Sequence, residues 1–452
     1  MTTPAGEARG WADRVRFTPG AEGVAYRPRE LILLTGDGEQ VERARGIMAS
    51  RERQDSESLR FSDGVRANEG AVIVRAFGVE DPEVVVELLR SSGIPAQLNH
   101  VLFAHCDGGC CEPHPAAAGG VAGSPVYATP VYATPVYATP VYATPVYATP
   151  VYATPVYATG AEKATGVRRT SARCVSEADA KAVRDVLQGA AATKAAAEAD
   201  VVIIDTGKPS PDHDSGVLGV PNGLSTGADV PDADGNDRVD PCASHGRFIE
   251  GIVRRIAPRA RVAVIRAIHP EGDGDEGDIA EIISALPAPP ARGGVLNLSF
   301  GGYVPDTTDG LALAAAIAGA RSRGWTVVAS AGNDATCRRT YPAALPGVIS
   351  VGAIGPHGPA PFTNYGPWVR ACAPGVDLVS TFLDRFDADT EMGELTGWAR
   401  WSGTSFSAPV VAGVLIQEAL SRDISVTDAV ARVIDAEGLL RLHNLGTVVN
   451  RL

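Results

Sequence analysis

Between residues 29 and 104 the spacing of apolar and polar positions changes period in a regular order. "RELILLTG" reads as a strand, "EQVERARGIMASRER" as an amphipathic helix, "AVIVRAF" as a strand, "DPEVVVELLRSSG" as a helix and "AQLNHVLFA" as a strand. This β-α-β-α-β succession predicts a small α+β domain over residues 29 to 104. The polar, Gly- and Pro-containing residues 1 to 28 read as a flexible arm.

The second half has a different rhythm. "DVVIIDTG", "RVAVIRAI", "GGVLNLSFGG", "WTVVASAGN" and "GVISVGAI" are nearly continuous apolar runs, as expected of parallel strands buried on both faces. "GRFIEGIVRRIA", "GDIAEIISAL" and "DGLALAAAIAGARSRG" carry helical spacing between several of them, and "SEADAKAVRDVLQGAAATKAAAEA" predicts a helix ahead of them. The fold class is therefore α/β over residues 160 to 452, a parallel β-sheet flanked by helices. In such sheets active sites lie beyond the carboxyl ends of the strands.

Two unusual segments separate these parts. Residues 105 to 124 are rich in Cys, His and Gly, and residues 125 to 159 repeat "PVYAT" seven times without change. Each proline removes a donor and biases the preceding Thr away from helix, which predicts an extended linker. The strict Tyr spacing is more than a spacer requires, so a second reading makes the array a multi-copy substrate for modification or release on a carrier protein.

A net charge of −13 makes nucleic acid or an anionic membrane an unexpected partner, and no apolar run reaches membrane-spanning length. The opening residues lack an apolar secretory core, so the expected compartment is the cytoplasm. Seven cysteines, three of them crowded between residues 106 and 111, do not suggest a disulfide framework. Oligomeric state is not legible.

Four polar residues stand out against this background. Asp205 ends "VVIID", His245 opens the helix "HGRFIEGIV", Asn333 ends "ASAGN" and Ser405 sits in "GTSFSAP" ahead of the apolar helix "VVAGVLIQEAL". Individually these suit turn formation and helix capping. Together they supply an orienting carboxylate, a base, an oxyanion donor and a nucleophile.

"IIDTG", "HGRFIEG", "ASAGN" and "GTSFSAP" resemble the four signature segments of the subtilisin-like serine peptidases, the subtilases, and the likeness runs through "VLNLSFGG", "YPAALPGVISVGAI" and "FTNYGPWVRACAPG". The resemblance implies a serine endopeptidase acting on a peptide or protein, with Ser405 as nucleophile, His245 as base, Asp205 as its orienter and Asn333 as oxyanion donor. Thr404 and Ser407 keep the capping role, with Pro409 suited to a helix beginning. By the same resemblance substrate lies extended along Ser299, Phe300, Gly301 and Gly302, close to Ser330, Ala331 and Gly332, with the acidic loop of residues 271 to 278 on its other side. That loop reads either as a substrate contact or as a solvated turn with Asp278 capping the next helix.

Residues 29 to 104 resemble, in pattern and position, the pro-domains that precede such peptidases and block their clefts; an adaptor domain is the competing reading. Glu250 departs from the family's usual small residue, and is expected either to raise the His245 pKa or to face water. No cofactor and no metal ligands are assigned. His105, Cys106, Cys110, Cys111 and His114 are irregularly spaced for zinc. Calcium is left open at "DADGNDRVD", residues 232 to 240, which lacks the terminal Glu of an EF-hand.

Overall fold

The computed structural model describes residues 14–18, 24–51, 59–104, 173–174, 199–209, 227–304, 311–386 and 395–450. The Cys/His segment, the PVYAT array and, but for Ala199, the helix expected over 176–199 lie outside the described residues.

In the N-terminal domain, β1 (Ala25–Thr35) pairs antiparallel with β2 (Ala71–Phe77) on one edge and β3 (Ala96–Ala104) on the other. Helices α1 (Gly38–Arg51) and α2 (Pro82–Ser91) close the domain. Leu31, Leu33, Met48, Val85, Leu89 and Ile94 form its core. Each contributes about 1.5–3 kcal/mol relative to exposure. The α2 helix starts at a proline, whose missing N–H would have no intrahelical partner there.

All five predicted elements are present. The arm is a correction: β1 starts at Ala25 rather than Arg29, and Arg16–Phe17 pairs with Ala25 and Tyr26. Its polar residues are held by partners distant in sequence, since Arg14 and Arg27 bind carboxylates at residues 271, 273 and 275. The short strands Arg60–Phe61 and Val65–Asn68, also paired to β2, are too brief to show a period.

The C-terminal domain carries β4 (Val201–Asp205), α3 (His245–Ile256), β5 (Val262–Arg266), β6 (Asp273–Asp275), α4 (Glu276–Ala285), β7 (Gly294–Leu298), β8 (Phe300–Gly301), α5 (Leu311–Ser322), β9 (Trp325–Ser330), β10 (Ile349–Gly355), β11 (Ala371–Pro374) and α6 (Thr404–Arg422). The order β5-β4-β7-β9-β10-β11 is parallel throughout, with Ile203 beside both Val264 and Asn297. Strands buried on both faces cannot alternate, which is why their sequences read as unbroken apolar runs. Helices α3 and α6 pack together, as do α4 and α5, and α6 lies against β7, β9, β10 and β11. Asp205, Ser299 and Ser330 thereby arrive together at one end of the sheet.

Candidate active site

At the carboxyl end of β4, Asp205 Oδ1 lies 2.7 Å from His245 Nδ1 and accepts a second bond of 2.8 Å from the Thr206 N–H. Neither Asp205 nor His245 is exposed. A carboxylate only accepts, so Nδ1 carries the proton, and in the neutral imidazole Nε2 is the nitrogen with the lone pair. Nε2 has no hydrogen-bond partner among the described residues. The imidazole is walled by Trp401, edge-on at 5.4 Å, and Phe406 at 5.2 Å.

Asp229, which the sequence reading missed, ties the flanks of this pair together. Its Oδ2 accepts from the Ser244 N–H at 2.5 Å and from Thr206 Oγ1 at 3.1 Å, while Thr206 Oγ1 accepts from the Gly246 N–H at 3.1 Å. Ser244 has a left-handed backbone, φ 65°, a conformation that costs a non-glycine residue free energy and needs outside support. Burial pushes the Asp229 carboxyl up to about 7, against the opposing bonds from Ser244 and Thr206. Gly246 must be glycine, because a Cβ would stand 2.6 Å from the Gly207 carbonyl oxygen.

Glu250 neither faces water nor acts as an unpaired charge behind His245. It is fully buried and bonded to Lys208 at 2.9 Å, Arg254 at 2.8 Å and Arg247 at 3.2 Å. Burial alone would raise its carboxyl, but these three cations outweigh it and hold the pKa at about 2. Lys208 lies three residues beyond Asp205 and Glu250 five beyond His245, so the ion pair joins the β4 exit to α3.

Ser405 lies in the first turn of α6, where backbone N–H groups have no intrahelical acceptor. Its Oγ donates to the Ser299 carbonyl at 2.8 Å, and Ser299 Oγ donates back to the Ser405 carbonyl at 2.8 Å. Pro409 explains the second bond. Four residues on from Ser405, it has no N–H to give, which frees that carbonyl for Ser299. Pro409 thus sits inside the helix rather than at its first position.

The capping expectation for Thr404 and Ser407 is overturned. Gly403 occupies the cap position and offers no side chain to cap α6. Thr404 Oγ1 instead donates to Asn333 Oδ1 at 2.8 Å and accepts from the Gly332 N–H at 3.1 Å, and Thr404 N–H also donates to Asn333 Oδ1. Ser407 Oγ is buried without a partner among the described residues. With its oxygen held by Thr404, the Asn333 amide has Nδ2 left over as a donor with no partner among the described residues. Ala331 and Gly332 are fixed from behind, the Ala331 carbonyl accepting from Thr340 and Asn364. Ser330, at the end of β9, is buried.

The channel expected for an extended peptide is filled by the chain itself. Residues 101 to 104 of β3 run antiparallel between β6 and β8: Phe103 stands between Asp273 and Gly301, and Ala104 opposite Phe300. The Ala104 N–H donates to the Gly272 carbonyl at 2.9 Å. Gly302 leaves room for this strand, since a Cβ there would lie 3.0 Å from Leu102 Cδ2.

The acidic loop is not a solvated turn. Arg27 bonds Asp273 and Asp275, Arg14 bonds Glu271, Arg75 bonds Asp278, and Glu276 receives His100 Nδ1 and Gln97 Nε2, each at 2.7 Å. Asp278 caps nothing: α4 begins at Glu276, with Asp275 at the cap position. Separately, oxygens of Asp232, Asp234 and Asp240 lie within 4.8 Å of one another. Asp240 is buried, its Oδ1 has no partner among the described residues, and burial raises its carboxyl to about 7.

The subtilase family model matches residues 222–429. Subtilisin BL of Lederbergia lenta is 30% identical over 227 residues, covering 47% of this chain and 73% of that protein. The chain belongs to the subtilase family. A thermophilic serine proteinase of Bacillus sp. (strain AK1) is 33% identical over 260 residues, 54% of this chain and 58% of its own length. This subtilase thus spans little more than half of that relative. Fervidolysin from Fervidobacterium pennivorans, a keratinolytic enzyme related to subtilisin, shares the fold over 97% of this chain and 62% of its own, with a TM-score of 0.54 at 17% identity.

Proposed function

We propose that this subtilase is a serine endopeptidase whose channel is closed by its own N-terminal domain. The observation that carries the reading is the buried Asp205–His245 pair, which leaves Nε2 free at a site shared with the Ser405-bearing helix. In the reaction Ser405 turns from the Ser299 carbonyl, His245 Nε2 takes its proton, and Oγ attacks the peptide carbonyl. The imidazolium, stabilised by Asp205, then protonates the departing amine. Asn333 Nδ2 and the Ser405 N–H receive the oxyanion, and fixed donors of this kind need no reorganisation as charge develops. Water repeats the sequence on the acyl-enzyme.

Asp229 is the positioning residue of this scheme, because it holds the residue after Asp205 and the strained residue before His245. Ser299, Phe300, Gly301 and Gly302 pair with substrate backbone, an arrangement that binds extended peptides with little sequence demand. Ser330, Ala331 and Gly332 also line the substrate path, with Gly332 tied to the oxyanion side through Thr404. Residues 29 to 104 act as a pro-domain-like inhibitor, a reading supported by β3 in the substrate's place.

Asp232, Asp234 and Asp240 suit a calcium ion of structural rather than catalytic use, since hard carboxylate oxygens converge around a buried oxygen lacking a partner. The protein acts in the cytoplasm on this reading, and the PVYAT array serves as linker.

Replacing Ser405 by Ala tests the proposal. Labelling by a serine-directed phosphonate should disappear and peptide hydrolysis fall by about 10⁶. A Ser405→Ala protein that is still labelled at its active site would remove Ser405 from the nucleophile's role.

A further inference from the structure

We infer that Asp273 and Asp275 select substrates with Lys or Arg at the third and fifth residues before the bond that is cut. The inference rests on the endopeptidase reading and adds a substrate class to it.

Register fixes the positions. Ala104 stands opposite Phe300, so a peptide continuing one residue further along the same line stands opposite Ser299. The Ser299 carbonyl is the group that holds Ser405 Oγ. The residue facing Ser299 is therefore the one whose carbonyl meets the nucleophile. Counting back from it, the places of Phe103 and Val101 are the third and fifth.

Those two places face carboxylates directly. Phe103 is the cross-strand neighbour of Asp273, and Val101 that of Asp275. Directly opposed residues share a face with their Cβ atoms about 4.5–5.5 Å apart, close enough for a charged pair. Leu102 lies opposite Gly274, and its side chain alternates to the other face. The acidic wall reads every second residue.

In the closed protein Phe103 and Val101 cannot neutralise these carboxylates, and Arg27 does so instead, reaching both, with Arg14 also on Asp273. Asp273 and Arg27 are both buried by this contact. All the ion pairs made by Asp273 and Asp275 among the described residues come from the N-terminal domain. The other titratable groups near them are Arg75, again from the N-terminal domain, and His269, Glu271 and Asp278, of which Glu271 and Asp278 add negative charge. When the domain leaves the channel its arginines leave too. Two adjacent carboxylates then remain on the wall, and a peptide with Lys or Arg at the third and fifth places restores the lost partners, whereas Glu there meets like charge.

The test presents full-length protein with fluorogenic peptides that differ only at those two places: both Lys, both Ala or both Glu. The ratio of kcat/KM between two peptides is independent of the fraction of protein that is open, because that fraction scales every peptide equally. Where turnover is slow, protection of Ser405 from phosphonate labelling ranks the same peptides. The Lys peptide should exceed the Ala peptide by about tenfold in low salt, with the Glu peptide lowest. The Lys advantage should shrink at 0.5 M NaCl and vanish in Asp273→Asn/Asp275→Asn. The salt arm needs no variant, so a misfolded double variant does not spare the idea. Equal ranking of the three peptides, or a Lys preference that persists in the double variant, overturns the inference while leaving the peptidase intact. Neither cleavage nor labelling at Ser405 even at high salt, where the ion pairs holding the domain in the channel are screened, means that the endopeptidase reading has failed, and the inference falls with it.

Discussion

The two walls that enclose residues 101 to 104 are built on different physics. The β8 wall is neutral and tied to Ser405: Ser299 exchanges hydrogen bonds with it in both directions, and Asn297 holds Ser299 Oγ at 2.9 Å. The β6 wall is a row of carboxylates whose partners belong to another domain. On the proposed reading, one wall sets where a bond meets Ser405 and the other sets what lies there. Changes beside the first should therefore lower turnover, and changes at the second should alter occupancy of the channel.

The largest expected effect belongs to the first group. Asn333→Ala removes the Nδ2 donor and also the Oδ1 acceptor that fixes Thr404, so kcat should fall by about 10²–10³ with KM little changed. An unaltered kcat would take Asn333 out of the oxyanion site.

A charge cluster outside the channel serves as the control. Glu250, held at about 2 rather than 4.5, contributes about 3 kcal/mol of stability at neutral pH. Its folded pKa is lowered, so this contribution is complete above about 4.5 and fades as pH drops towards 2. Urea unfolding of wild type and Glu250→Gln should differ most near neutrality and converge on acidification, with the peptide ranking unaffected. A constant difference across that pH range would mean that the carboxyl is not held down by Lys208, Arg247 and Arg254.

Asp229 should show a smaller effect on rate. Asp229→Ala removes the acceptor for Ser244 and Thr206, and kcat should drop about tenfold at constant KM, in line with one or two lost hydrogen bonds. Asp229→Asn retains an acceptor oxygen and should recover much of the loss. If both variants lose stability alone, with kcat intact, Asp229 is structural and does not position His245.

Much of the fold and the site could be read from the chain because the signals were local. Unbroken apolar runs gave the parallel strands, Asp205 ended one of them, His245 and Ser405 lay at helix starts, and Asn333 was expected to end a strand but lies three residues past the end of β9. What could not be read depends on partners remote in sequence. Glu250 looked like a solvent-facing or disruptive charge because Lys208 lies 42 positions away. Thr404 looked like a cap because nothing local pointed to Asn333. Asp229 had no signal beyond an Asp in a polar stretch. Arg27 fell within an apparent flexible arm, and only the meeting of β3 with β6 gives it a role.

Arg27 also supplies the most discriminating prediction. It is buried, and its guanidinium bridges Asp273 and Asp275, so Arg27→Gln removes two charge-assisted bonds from the contact that keeps β3 in the channel. On the proposed reading Ser405 is labelled only while the channel is open, so the phosphonate labelling rate of full-length protein should report the open fraction. Labelling should accelerate about tenfold in Arg27→Gln, the value of roughly one such bond. Wild type should accelerate at high salt, and the variant less so, since part of its salt-sensitive contact is already gone. Arg45→Gln, which breaks the exposed pair with Glu42 on α1, should leave the rate unchanged. Equal acceleration by both substitutions would mean that general loosening of the N-terminal domain, and not the acidic wall, governs entry to the channel.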